Sequence, residues 1–417
     1  MGYDGITEQN KSEKPYEGYE KSDQTFLRWY NHQKILNILR TAGPMSRIDL
    51  AKTSRLDKKT ITNIVADMLA QGIVYVSSIQ KPGNGRPKEI LALSGDFYYC
   101  IGIDIGGTHV TAVLIDFAAK VLASKTIDLH SHVPPDTILN LCDLLVEFVL
   151  ENSGLTMEKI SSIGVTFPGV VDHKTGKSIL AENLPDWNNV PVQKIFEDKY
   201  GKVVAVEDCS RTMALAELWL GDNNCENFIV FDLGLGIGCG IVINNNLFTG
   251  SNGKSGEIGH MIVEVNGPLC TCGRRGCIES LSSGWALSQQ TQNLLNQGKC
   301  NILQNLISKS ENTPNMKEVI LAAGLGDESC QELLAKAGEY IGIGIANALS
   351  LFNPAKVILG GRLIKDNRFM LESIVETVRQ QTIADIYRDA QIELSGIGDN
   401  ASAIGAAILC LQQCYAS

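Results

Sequence analysis

No uninterrupted apolar run in this 417-residue chain approaches the roughly 20 residues that a bilayer-spanning helix needs. The opening residues, Met1 to Ile6, lack the basic-then-apolar profile of a secretory signal, and Ile6 stands where N-myristoylation requires Ser or Thr. Without a secretory signal, the 12 cysteines spread through so long a chain do not read as a disulfide framework, and free thiols are expected for most of them. These absences together point to a cytoplasmic protein with no membrane partner. Positive charge is short as well: 36 Lys and Arg face 46 Asp and Glu, a net of −10, which taken whole argues against a nucleic-acid binder. What remains, 44% apolar and 20% charged residues, is ordinary for a globular chain of two or three domains with a sizeable core.

The charge is not spread evenly. Residues 21–95 hold 12 Lys and Arg against 5 Asp and Glu, a net of +7, while residues from 96 onward hold 22 against 36, a net of −14. A basic module is therefore attached to an acidic body. Ahead of it, residues 1–24 are polar and read as a disordered tail. Within residues 25–95 the pattern gives three helices and a hairpin. Ile35, Leu36, Ile38 and Leu39 face a first helix that stops at Gly43-Pro44; Ser46 with Asp49 starts a second; Asp57 caps a third, whose Ile61, Ile64, Val65, Met68 and Leu69 recur at helical spacing. The runs Ile73–Ile79 and Glu89–Leu93 pair around a cationic tip, Lys81 to Pro87. This is the pattern of a winged helix-turn-helix. Lys59, Thr60 and Asn63 are the candidates for base edges, Lys58 and Arg55 for phosphates, and Arg86 for the backbone or a minor groove. The competing reading is a small helical oligomerisation domain whose basic face is merely solvated.

The densest chemical signal lies further on. Cys270, Cys272 and Cys277 fall within eight residues, and His260 precedes them in Gly256-Glu257-Ile258-Gly259-His260. Three thiolates and an imidazole close a tetrahedral zinc site, leaving no position for a reactive water, so the metal is expected to be structural. The alternative is a set of reduced core thiols. Glu257 and Glu279 flank the knuckle, and carboxylates accept hydrogen bonds from sugar hydroxyls well. Two Gly-rich hairpins complete the pattern. Ile101 to Thr108 runs into an apolar strand at Val110–Ile115, and Ile229 to Gly238 repeats the design 128 residues later, with Asp104 matching Asp232 and Gly106 matching Gly234. Such turns can grip phosphates with backbone N–H groups, although either alone is a weak signal.

From Gly250 to Glu279 the chain resembles the signature of the ROK family of repressors, open reading frames and sugar kinases, through Gly250, Gly253, Gly256, Glu257, Gly259, His260, Cys270, Cys272, Gly273, Gly276, Cys277 and Glu279. The basic module is similar to that of the family's repressors, including Gly85-Arg86-Pro87 at the wing. The resemblance implies an α/β fold class: a winged helix-turn-helix (25–95) ahead of a two-lobed actin-like ATPase or sugar-kinase body, ribonuclease H-like, over 96–417. Lobe I would cover about 96–206 plus the C-terminal helix, and lobe II about 207–398. It implies sugar contacts from Asn183, Glu207, Asp208, Glu257, His260 and Glu279, and phosphate contacts from Asp104, Gly106, Gly107, Thr108, Gly234 and Gly236. His260, Cys270, Cys272 and Cys277 would hold zinc. Asp208 matches the base that takes a proton from the sugar hydroxyl in the kinases; from spacing alone it also reads as a helix N-cap. Trp187 and Asn188 resemble segments near the sugar, with ordinary core the equal alternative for Trp187.

Two departures bear on function. Leu235 stands where the kinases have a Thr whose hydroxyl binds phosphate, a loss worth about 3 kcal/mol, roughly a hundredfold in rate. Glu207 replaces an Asn that contacts the sugar, so two carboxylates stand side by side, of which one is expected to bind sugar, turn away or titrate upward; Ser210 replaces a second Asn. The expectation is a sugar-responsive, zinc-stabilised repressor of carbohydrate genes that binds a double-stranded operator as a homodimer or dimer of dimers. The alternative is an Mg-ATP-dependent hexose or N-acetylhexosamine kinase carrying a DNA-binding arm.

Overall fold

A computed structural model describes residues 24–80, 87–129, 133–181, 184–221, 225–307 and 314–416. By their contacts these divide into two compact units: one runs to Tyr99 and takes in Asp116–Lys120 and the chain from Leu411, and the other holds Cys100–Ile115 and Val121–Cys410.

The N-terminal unit is built from α1 (Gln24–Ala42), β1 (Met45–Ser46), α2 (Arg47–Ser54), α3 (Lys58–Ala70), β2 (Val74–Gln80) and β3 (Lys88–Leu93). Both sequence-predicted caps form. The Asp49 N–H donates to Ser46 Oγ, and the Lys59 and Thr60 N–H groups donate to Asp57 Oδ1. Ile61, Ile64, Val65 and Met68 are buried, as are Ile35, Leu36, Leu39 and Leu50, and these residues make up the unit's core. The expected hairpin of β2 and β3 gains a third strand, because β1 pairs with β3 at Met45–Leu91 and Ser46–Ile90. The wing tip with Arg86 lies outside the described residues.

The larger unit contains two sheets of equivalent order. In the first, β4 (Tyr99–Ile105), β5 (His109–Asp116), β6 (Val121–Asp128), β7 (Ile160–Phe167) and β10 (Val203–Asp208) are arranged β10-β7-β4-β5-β6. Between them come α4 (Pro135–Ser153), the small hairpin β8 (Val170–Asp172) and β9 (Lys177–Leu180), and α5 (Val192–Tyr200). Helix α6 (Cys209–Leu220) crosses to the second sheet: β11 (Phe228–Leu233), β12 (Ile237–Ile243), β13 (Asn246–Leu247), β14 (Lys356–Gly360) and β15 (Gln391–Leu394), in the order β13-β12-β11-β14-β15. In each sheet the first strand forms the Gly-turn hairpin and the fourth lies beside the first, so the duplication suspected from the repeated hairpins extends to whole lobes. The central strands are buried on both faces, which is why Ile101, Ile103 and Ile105 sit in a near-continuous apolar run.

Helices α7 (Ile278–Ser282), α8 (Gly284–Asn296), α9 (Asn301–Leu306), α10 (Met316–Gly324), α11 (Glu328–Phe352), α12 (Arg368–Gln381) and α13 (Ala384–Asp389) cover the second lobe. The spine of this layer is α11, started by Asp327 as N-cap and ended by Asn353 in the left-handed region before Pro354. Its Leu334, Ile341, Ile345 and Leu349 are fully buried in the lobe's core. Strand β10 stays paired with β7 through Asp208, next to the start of α6. None of the described helices is long and apolar enough to cross a membrane.

Helix α14 (Ala401–Ala416) returns to α6, and Gly405 meets it so closely that a Cβ would lie 1.7 Å from the Thr212 carbonyl oxygen. Two packed helix backbones have no flexible side chain to yield there. Gly405→Ala is therefore expected to destabilise the body by about 1–3 kcal/mol, read as a lower denaturant midpoint at unchanged m-value.

Candidate functional site

The Cys and His knuckle is assembled from main-chain turns. The Cys270 N–H donates to Arg274 O at 2.8 Å and the Gly273 N–H to Cys270 O at 2.9 Å, turning the chain back on itself, and an antiparallel bridge sets Cys277 beside Ile262. Gly276 is required: its φ is +73° and a Cβ would lie 1.6 Å from Glu264 O. The candidate ligand atoms of His260, Cys270, Cys272 and Cys277 all lie within 4.8 Å of one another. Cys272 Sγ is 3.7 Å from Cys277 Sγ, and Cys270 Sγ is 3.6 Å from His260 Nδ1. With Zn–S near 2.3 Å and Zn–N near 2.0–2.1 Å, a tetrahedron has S–S edges of about 3.8 Å and S–N edges of about 3.6 Å. The donor set therefore fits a zinc ion in both chemistry and spacing. It is the Nδ1 edge of the imidazole that faces the sulfurs.

Beside the knuckle lies a cavity of ≈ 310 Å³ between the lobes. Its lining brings together Asp208, Glu257, His260 and Glu279 with the turn residues Asp104, Gly106, Gly107, Thr108, Gly234 and Gly236, all named from the sequence. Asp208 takes the N-cap role and also lines the cavity. Oδ1 caps α6 by accepting the Ser210 and Arg211 N–H groups at 2.9 and 3.2 Å, while Oδ2 lies 3.9 Å from the Cys209 thiol on the cavity wall. Glu279, carried on the first turn of α7, is oriented by the Ile237 N–H, which donates to Oε2 at 2.9 Å.

Where the two Gly-rich turns line the cavity, the Gly106 N–H donates to His109 O and the Gly234 N–H to Gly236 O, so each turn is closed on itself. The carbonyls of Gly234 and Leu235 accept the Gly284 and Trp285 N–H groups at 2.9 and 3.1 Å, where α8 begins. His109 Nε2 lies 3.1 Å from Asp104 Oδ2. Asp232, from the second turn, is pushed up to about 7, first by burial and then by the neighbouring Asp208 and Asp104 charges. A carboxyl poised there can donate a hydrogen bond as well as accept one.

Three sequence-named residues are placed otherwise. Glu207 is not on the cavity lining; it is 3% exposed and accepts the Arg211 Nε–H at 2.7 Å. Trp187 is 1% exposed and belongs to the core, and Asn188 Oδ1 holds the Ala181 N–H at 2.7 Å. Asn183 lies outside the described residues. The cavity also recruits His109, Arg274 and Arg362, which sequence reasoning passed over. Arg211 was overlooked too, although an Arg four residues after Glu207 on a helix start is a readable ion-pair spacing.

On α3 of the N-terminal unit, Lys58, Lys59 and Asn63 are exposed together on one side, and Arg55 stands exposed in the left-handed turn before it. Thr60 is half-buried and its hydroxyl donates to Asp57 Oδ2, which holds Asp57 below the usual carboxylate range and ties the hydroxyl to the cap.

Fold and site together define a transcription regulator in which a winged helix-turn-helix is joined to a two-lobed, sugar-kinase-like body. The chain belongs to the ROK family, whose model matches residues 100–413; a second match, to the MarR family, covers residues 30–87. It is 29% identical over 384 residues to the xylose repressor of Caldicellulosiruptor bescii, covering 92% of this chain and 96% of that one. It is also 29% identical to the N-acetylglucosamine repressor of Escherichia coli O6:H1 over 383 residues, 91% and 92% of the two chains. Among solved structures, a ROK family transcriptional regulator described as a homologue of the E. coli MLC protein matches with a TM-score of 0.76 at 26% identity, covering 94% of this chain and 97% of its own. A ROK family glucokinase from Streptomyces griseus, in complex with glucose and AMPPNP, matches with a TM-score of 0.67 at 29% identity, covering 75% of this chain and 98% of its own.

Proposed function

We propose that this protein is a sugar-responsive repressor: the winged helix binds an operator controlling carbohydrate uptake or catabolism genes, and a sugar bound between the lobes alters that binding. The observation that carries this reading is the convergence of Asp208, Glu257, His260 and Glu279 on one cavity beside the Cys and His knuckle. Three carboxylates accept hydrogen bonds from sugar hydroxyls, and His260 lines the same cavity. Zinc, when bound by His260, Cys270, Cys272 and Cys277, supplies a rigid brace for the imidazole and for α7. Lys59 and Asn63 read base edges, Thr60 contributes through the cap it shares with Asp57, and Lys58, Arg55 and Arg86 contact the backbone. In a homodimer, half-sites about 34 Å apart make operator affinity sensitive to small changes in the spacing of the two heads.

The test is a gel shift with the upstream region of a neighbouring sugar operon, repeated across a sugar panel. One sugar should change the shift at a concentration that also raises the protein's melting temperature. Binding indifferent to every sugar, or no binding to duplex DNA, would overturn the reading.

A kinase reading is favoured by one observation: Asp208 and both Gly-rich turns line the same cavity. Against it stand Leu235 in the second turn and His109 on Asp104. A coupled assay with Mg-ATP decides, because a kinase shows turnover that Asp208→Asn abolishes, and a sensor shows none in either protein.

A further inference from the structure

Glu207 stands where the family places a direct sugar contact, yet its carboxylate is turned away and buried. Its partner is Arg211, one turn along α6 and 1% exposed. The guanidinium makes two bonds of different reach: Nε–H donates to Glu207 Oε1 at 2.7 Å, and Nη1–H donates at 3.0 Å to the carbonyl of Ser255, 44 residues further along the chain. Nη2 is buried with no hydrogen-bond partner among the described residues. Glu207 Oε1 also accepts the Asp208 N–H at 2.8 Å, so the pair is fixed to the backbone of the cavity's central acid. On the far side, His173, in the turn between β8 and β9, places Nε2 3.7 Å from Glu207 Oε1 and 3.2 Å from Gly253 O.

Ser255 and Gly253 belong to the segment that leads from β13 into Glu257 and His260. Ser255 lies two residues before the first of these and five before the second. The rest of the segment is held by main-chain bonds, Ser255 N–H to Thr249 O and Cys239 N–H to Gly256 O. A buried guanidinium that bonds a carbonyl of this segment, and is itself oriented by a buried carboxylate, sets where Glu257 stands.

We propose that Arg211 is a positioning residue of the cleft: with Glu207 and His173 it straps the segment 249–257 to the first lobe, replacing a direct sugar contact by control over the placement of Glu257 and His260. The proposal rests on the sugar-binding reading of the cleft. An ion pair buried merely for packing makes a different prediction, because removing both charges together relieves the penalty of an orphaned ion and restores everything at once. A strap is not restored that way.

The experiment compares the full-length wild type, Arg211→Ala and the double variant Glu207→Asn/Arg211→Ala. Each is titrated with D-glucose, D-xylose and N-acetylglucosamine by calorimetry and followed without sugar by hydrogen exchange. Arg211→Ala should lower the melting temperature and weaken binding of whichever sugar the wild type takes by about tenfold or more. The double variant should regain melting temperature but not affinity, and amides of residues 249–260 should exchange faster in both variants. Wild-type affinity and wild-type exchange in the double variant overturn the proposal. A wild type that binds none of the three sugars counts against the sugar reading as tested, and the exchange of residues 249–260, which needs no ligand, then decides the strap by itself.

Discussion

Cys277→Ser is expected to lose the bound metal and with it the sugar response. The zinc content of purified protein should fall from about one per chain to near zero, since structural sites of this donor set draw much of their stability from the ion. Cys277 is fully buried, and it is also the N-cap of α7, which carries Glu279 two residues later, while Ile278 enters the lobe's core. Losing the ion therefore releases His260 and the start of α7 together. Outer-shell partners of a metal ligand are worth 10–100-fold, so removing a ligand should weaken sugar binding by at least about a hundredfold. Operator binding without sugar should stay close to wild type, because the four ligands lie outside the N-terminal unit. Metal analysis, thermal shift with sugar and a gel shift read the three outcomes. A variant that keeps its zinc, or that loses zinc and keeps its sugar response, would remove the knuckle from the mechanism.

The second large effect should fall on the other function alone. Lys59→Ala and Asn63→Ala, on the exposed side of α3, should each weaken operator binding by about 1–3 kcal/mol and relax selectivity at one base pair. Lys58→Ala and Arg55→Ala should weaken binding to all duplexes alike and reduce the salt slope by about one each. Sugar-induced thermal shifts should be unchanged in all four. Operator affinity insensitive to both Lys59 and Asn63 would mean that α3 is not the reading helix.

The separation of these effects reflects how unevenly the chain discloses itself. The caps at Ser46, Asp57 and Asp208 were legible because a cap is a bond between a side chain and an N–H two or three residues away. The knuckle was legible for a similar reason, its ligands falling within 18 residues with Gly at the turns. The repeated hairpins disclosed both lobes through the matching of Asp104 with Asp232. The strand β1 was not legible: two residues carry no periodicity, and they become a strand only by pairing with Ile90 and Leu91.

Glu207 shows where sequence reasoning ends. The family resemblance placed it at the sugar, and the one local signal against that was Arg211 four residues on. Its orientation was decided by Arg211, whose second bond reaches Ser255, and by His173 from a hairpin 34 residues upstream. By itself the sequence determined the family, the helix starts, the clustering of the candidate metal donors and the charge division between head and body, because each of these depends on bonds or spacings confined to a few residues or on sums over a segment. The tertiary structure alone decided which carboxylates face the cavity, which are neutralised behind it and which thiol and imidazole edges meet. Burial makes an unpaired charge costly, and the partner that satisfies it is set by which surfaces pack together, whatever their separation along the chain.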